Sequence, residues 1–235
     1  MMTPDTMPIL LIPGLASSAR VYLPVLPALW RVGSVTIANH VHDDSIDAIA
    51  RRILAEAPPR FALAGHSMGG YIAFEIMRQA PERVAKLALI NTQARPDTPE
   101  GTANRRLQMA AAQSGNYDKA MEAFYAMLVH PTRRDDADLK QVTRDMFADV
   151  TPDEFVRQQT AIIGRADSRP TLSAIDCPTL VLTGDQDLLL PHHLSEEMAQ
   201  GIAGAKLVTI PACGHMPQFE RPEQTTAALV DWLRM

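Results

Sequence analysis

Cysteine is nearly absent from this chain: Cys177 and Cys213 are the only two in 235 residues. A disulfide framework is thereby excluded as the organising principle, and a reducing cytoplasm is the expected compartment. Long apolar runs are missing as well. No stretch approaches the ~18 apolar residues of a membrane span, and the first run, Ile9 to Ile12, is only four residues long. Met1 to Thr6 carries no basic segment ahead of that run, so a secretory leader is not expected. Positive charge is not concentrated anywhere. Lys and Arg number 22 against 27 Asp and Glu, for a formal net charge of −5, and basic residues gather only in pairs such as Arg51-Arg52, Arg105-Arg106 and Arg133-Arg134. Phosphate backbones demand clustered cations, so nucleic acid is excluded as a partner. Internal repeats and low-complexity segments are also lacking.

What is present suits a globular enzyme. Hydrophobic residues make up 46% of the chain, enough for a sizeable core in one large α/β domain or a core domain with a modest insert. The most informative run is Gly65-His66-Ser67-Met68-Gly69. Read as G-x-S-x-G, it sets a serine hydroxyl on a sharp strand-to-helix turn whose close backbone approaches need glycine on both sides. The context fits: Phe61 to Ala64 reads as a buried strand, and Met68 to Gln79 as a helix carrying Tyr71, Ile72, Phe74, Ile76 and Met77.

Around this turn, apolar runs alternate with helical patterns. Ile9–Ile12, Val35–Ala38, Phe61–Ala64 and Val84–Ile90 read as strands; Ser18–Trp30 reads as a helical segment and Ser45–Ala57 as an amphipathic helix. From about Arg95 to Arg169 every periodic segment is helical. Thr151-Pro152-Asp153-Glu154 is a helix start with a capping threonine and a glutamate three residues on. The first rhythm then returns, with strands at Thr179–Thr183 and Lys206–Ile210 and helices at Pro191–Gln200 and Arg221–Arg234. Short apolar strands separated by helices imply a mostly parallel sheet covered on both faces. The expected division is a core of residues 1–94 and 170–235 with a helical insert at 95–169.

A serine hydroxyl becomes a useful nucleophile only beside a base that a third group orients. Hydrolases built on this kind of sheet order their residues Ser, Asp or Glu, His along the chain. Here one late strand runs into Gly184-Asp185-Gln186-Asp187, and the next into Cys213-Gly214-His215. The C-terminal ends of parallel strands share one edge, so Ser67, Asp187 and His215 are expected to converge there.

With these residues in place, the chain resembles an alpha/beta-fold hydrolase of the lipase/esterase type over nearly its whole length. The resemblance rests on LLIPGL, GHSMGGYIAFEI, GDQD with PHH, and GHMPQFERPE. It implies Asp187 as the acid, with Asp185 a nearby alternative, and the backbone N–H groups of Leu15 and Met68 as the oxyanion hole. The family often carries His-Gly after its first strand; Pro13-Gly14 stands here, and because position 13 is not a donor the hole should survive. Tyr22 matches an aromatic position that the family often fills with tryptophan; it reads as packing, with substrate binding as its functional alternative. The family's first hairpin is missing, which implies about six strands. The activity implied is cofactor-free hydrolysis of small to medium carboxylic esters. C–C bond cleavage or lactone opening on the same triad, or ligand sensing with slow turnover, are the alternatives.

Other residues compete for roles. His40-Val41-His42-Asp43-Asp44 resembles the opening of some metal-hydrolase motifs, but no further ligand group follows. It therefore reads as a surface loop capped by Asp44 or Ser45, and no metal is expected. His192-His193 reads as solvated and Cys213 as buried and unreactive. Arg165 and Arg169 read first as solvated surface; their functional alternative is recognition of a substrate carboxylate.

Overall fold

The computed structural model describes residues 7–235, so the expectation drawn from Met1 to Thr6 lies outside the described residues. Six strands form one sheet: β1 (Ile9–Ile12), β2 (Val35–Ile37), β3 (Phe61–His66), β4 (Val84–Ile90), β5 (Thr179–Gly184) and β6 (Lys206–Ile210). Their order is β2-β1-β3-β4-β5-β6 and every pairing is parallel. β1, β3 and β5 are buried at every position, as unbroken apolar strands between helical layers must be. Burial of each large apolar side chain contributes about 1.5–3 kcal/mol.

Ten helices accompany the sheet among the described residues: α1 (Leu26–Trp30), α2 (Ile46–Glu56), α3 (Met68–Gln79), α4 (Pro99–Ala111), α5 (Tyr117–Leu128), α6 (Ala137–Ala148), α7 (Pro152–Ile163), α8 (His193–Gly201), α9 (Pro217–Glu220) and α10 (Pro222–Arg234). They cover both faces of the sheet, with α3 packed on β3 and α2 against α3. No strand occurs between β4 and β5, where α4 to α7 follow one another. Helix α7 opens on the capping box read from sequence: the Thr151 side chain accepts from Glu154 N–H, and Glu154 accepts from Thr151 N–H.

The segment 18–30 departs from the single helical stretch expected of it. It breaks into a 3-10 turn at Ala19–Tyr22 and the short α1. Pro24 and Pro27 supply no N–H for a continuous ladder, so the apolar periodicity does not carry one helix through.

Register fixes where a site can form. Ile12 pairs with Gly65, His66 with Ile90, Ile90 with Leu182, and Gly184 with Ile210. The carboxyl ends of β1, β3, β4, β5 and β6 therefore lie along one edge. The strand order reverses at β1, so the crevice outside β1 and β3 is where an open parallel sheet binds ligands.

Candidate active site

Ser67 occupies the turn from β3 into α3 with φ 54° and ψ −116°, a conformation a serine adopts only when its surroundings impose it. Its N–H donates to Ile90 O at 2.9 Å, and its carbonyl accepts from Gly70 N–H at 2.9 Å and Thr92 Oγ1 at 2.8 Å. Glycine on each side is a steric requirement. A Cβ at Gly65 would sit 2.2 Å from Gly69 O, and one at Gly69 would sit 2.2 Å from Ile12 O.

His215 follows β6 and Asp187 follows β5, and the two meet with Nδ1 2.7 Å from Oδ2. Both are buried. The Asp187 carboxylate has four donors: His215 Nδ1 and Asn91 Nδ2 (2.8 Å) on one oxygen, and the Leu189 and Leu190 N–H groups (2.9 and 3.0 Å) on the other. Burial pushes this carboxyl up. The opposing charge of His215 and these hydrogen bonds outweigh it, so the carboxyl ends below its ordinary value. Asp185, the alternative acid, is exposed and accepts from Cys213 N–H at 3.2 Å.

The His215 loop is held by residues that no motif announced. Glu220 Oε1 accepts from Gly214 and Met216 N–H at 2.9 and 3.2 Å, and its Oε2 from His130 N–H at 2.7 Å. Burial raises the Glu220 carboxyl, which nonetheless gathers three backbone donors around the histidine. The His215 N–H donates to Leu128 O, at the end of α5. His66 Nε2 donates to His215 O at 2.8 Å, and their rings lie 5.2 Å apart. Burial and the neighbouring His215 push His66 down to about 3, so it is neutral.

The chain after β1 passes against the serine turn, with an ideal Gly14 Cβ only 3.1 Å from Ser67 Cβ. Neither the Leu15 nor the Met68 N–H donates to an acceptor among the described residues. The loop has two external holds. His40 Nε2 donates to Gly14 O at 2.8 Å, and Gln158 on α7 accepts from Ala16 N–H through Oε1 at 3.0 Å. Gln158 Nε2 lies 3.0 Å from the same His40 nitrogen. His40 was expected on a surface loop; it is buried, and burial pushes it down to about 4, neutral beside Gly14. His42 is exposed, Asp43 pairs with Arg52, and Ser45 caps α2. No group of three His, Cys, Asp or Glu side chains positioned to hold a metal occurs among the described residues.

Ser67 and Leu15 open into a cavity of about 300 Å³. Leu188, Leu189 and Leu190 line it beside Asp187, while α4 and α5 supply Arg105, Gln108, Phe124 and Met127. Arg165 also lines it, and its expected place on the solvated surface gives way to a buried one. Its Nη1 donates to Asp97 Oδ1 (2.8 Å) and Ile162 O, its Nε donates to Arg95 O, and its guanidinium lies 4.5 Å above the Tyr71 ring. Arg169 stays exposed and paired with Asp167, and does not line the cavity. Tyr22 lies outside it too, fully buried with its hydroxyl donating to Ile12 O at 2.9 Å. Cys213 is buried and its thiol is pushed up by that burial. Among the described residues no helix is long and apolar enough to cross a membrane.

The sequence model of the Alpha/beta hydrolase family matches residues 5–229. A pimeloyl-(acyl-carrier protein) methyl ester esterase of Neisseria meningitidis serogroup B is 28% identical over 221 residues, covering 90% of this chain and 85% of that protein. Among solved structures, a thermophilic esterase from Thermogutta terrifontis, with malate bound, is similar at a TM-score of 0.86. It is 30% identical, over 97% of this chain and 89% of that one. The enol-lactonase of Burkholderia xenovorans LB400 matches 100% of this chain and 94% of its own at a TM-score of 0.89. At 24% identity that likeness is one of fold.

Proposed function

The chain belongs to the alpha/beta hydrolase family, and from that premise we propose that it is a cofactor-free serine hydrolase cleaving small to medium carboxylic esters. His215 takes the proton of Ser67 Oγ at Nε2 as the oxygen attacks the ester carbonyl. Asp187, acceptor for Nδ1–H, fixes the tautomer that leaves Nε2 free and stabilises the imidazolium that forms. The Leu15 and Met68 N–H groups receive the developing oxyanion, where an aligned donor is worth about 10²–10³ in rate. The alcohol departs with the proton from His215, and water activated by the same imidazole releases the acid. Residues 95–169 act as a cap that excludes bulk water and shapes the acyl pocket. The two free thiols suit a reducing compartment, the cytoplasm.

The observations that support this reading are a strained, glycine-flanked serine after β3 and a buried, hydrogen-bonded Asp–His pair after β5 and β6, with His66, the residue before Ser67, donating to His215 O. Replacing Ser67 tests it. Ser67→Ala is expected to abolish release of nitrophenol from p-nitrophenyl butyrate with folding unchanged, and to block labelling by a fluorophosphonate probe. A tenth of wild-type rate retained in the variant would overturn the assignment. A panel of esters, lactones and diketones run beside it separates ester cleavage from lactone and C–C bond cleavage.

A further inference from the structure

We propose that the cavity at Ser67 selects esters carrying a second, ionised carboxylate, which Arg105 binds; this deepens the ester-hydrolase reading and rests on it. The argument starts from a charge count. Two guanidinium groups, Arg105 and Arg165, line the cavity, and Asp97 is the only acidic side chain among the described residues that does so. Asp97 Oδ1 is shared between them, at 2.8 Å from Arg165 Nη1 and 3.3 Å from Arg105 Nε, while its Oδ2 accepts from Thr102. One negative charge thus answers two positive ones on a wall where Asp97 is 5% and Arg105 20% exposed.

The accessible charge is that of Arg105. Arg165, only 4% exposed, donates through Nη1 and Nε to Asp97, Ile162 O and Arg95 O and lies against Tyr71, with Nη2 alone lacking an acceptor among the described residues. Arg105 spends Nη1 on Gln159 Oε1 at 2.8 Å, and its Nη2 has no acceptor among the described residues. A guanidinium with an open edge in a part-buried wall is matched by a carboxylate, which it binds through paired N–H donors. Leu15, Phe124, Met127 and Leu188–Leu190 give the cavity an apolar side, and Gln93, Asn104 and Gln108 add neutral polar groups. A volume near 300 Å³ is at the small end of ligand sites. The chemistry that fits is a monoester of a short dicarboxylic acid: an ester at Ser67, a methylene spacer, and a free carboxylate at Arg105.

Proton release from monomethyl adipate and from methyl hexanoate, chains of matched length, tests this. In the wild type kcat/KM is expected to favour monomethyl adipate by about 10- to 100-fold, the factor for one charge-assisted hydrogen-bonded pair. The preference ratio is expected to collapse toward one in Arg105→Met and to recover in part in Arg105→Lys, which keeps the charge without the fork. Cleavage of methyl hexanoate at equal or greater efficiency by the wild type overturns the inference and leaves the esterase reading standing. Failure of both esters together with failure of Ser67 labelling sinks the esterase reading. Calorimetric titration of Ser67→Ala with the two esters then decides the subsite by itself, since equal affinities overturn it and tighter binding of monomethyl adipate upholds it.

Discussion

Asp187→Asn changes one atom of the site, and the hydrogen bonds around that side chain determine the result. The native carboxylate receives two donors on each oxygen: His215 Nδ1 and Asn91 Nδ2 on one, Leu189 and Leu190 N–H on the other. An amide offers one oxygen and one NH2 group. With its oxygen toward Leu189 and Leu190, its NH2 meets the ring and Asn91. Asn91 can still donate to Gly214 O at 3.2 Å, so the damage falls on the imidazole. The reverse orientation sets NH2 against the part-buried Leu189 N–H and the buried Leu190 N–H, and the buried one left without an acceptor costs about 1–3 kcal/mol. The first orientation wins by about that margin.

Its consequence is a reversed tautomer. His215 must present the Nδ1 lone pair to the new NH2 and carry its proton on Nε2, where it cannot accept one from Ser67. The expected fall in kcat is about 10³- to 10⁴-fold, the size seen when an orienting aspartate in such a triad becomes asparagine, or roughly 4–5.5 kcal/mol in the barrier. Loss of a charge-assisted bond should cost about 1.5–3 kcal/mol of stability, lowering Tm by roughly 3–12 °C for a chain of this size. Turnover of p-nitrophenyl butyrate gives the first number, thermal unfolding the second, and nitrogen NMR of the His215 ring reports the tautomer. A variant keeping a tenth of the wild-type kcat with its Nε2 protonated would refute the reasoning, since the wrong tautomer would then suffice.

Two further outcomes follow from the groups behind the site. Gln158→Leu strips Ala16 N–H of its acceptor, loosening the loop that presents Leu15; kcat is expected to fall about tenfold with KM little changed, since misplacing an oxyanion donor weakens the transition state alone. Unchanged kcat on p-nitrophenyl butyrate would detach Gln158 from the oxyanion loop. The second outcome concerns acid. His40 and His66 are pushed down to about 4 and about 3 from an ordinary 6.5. The unfolded chain therefore binds protons that the folded one refuses. Stability is complete above pH 6.5 and is lost as pH falls toward those values, by about 2 kcal/mol per histidine at pH 5. Calorimetry should show Tm dropping steeply between pH 7.5 and 5, before most carboxylates titrate; a flat Tm there would mean that these rings are charged or solvated in the fold.

The parts of this protein legible in sequence are those whose constraint is local or follows from the sheet. The Ser67 turn writes itself as glycine because Gly65 and Gly69 stand against backbone oxygens, and strand ends announce Asp187 and His215 because parallel strands deliver their carboxyl ends to one edge. Pro24 was an equally local signal, and apolar periodicity over 18–30 obscured it. Arg165 and Arg169 mark where legibility ends. Four residues apart, they look alike in sequence, yet one is buried at the cavity and the other is exposed. What separates them is Asp97, 68 positions away from Arg165. The grip of Gln158 on Ala16 spans 142 positions, and that of Glu220 on His130 spans 90. Arg105, on the polar side of an amphipathic helix, is written like a solvated residue, and only the fold shows that Asp97 is already shared when it arrives. Catalytic residues answer to backbone geometry and can be read one motif at a time. Residues such as Arg105 and Arg165 answer to distant partners, and those partners come together only once α4 and α7 pack on each other.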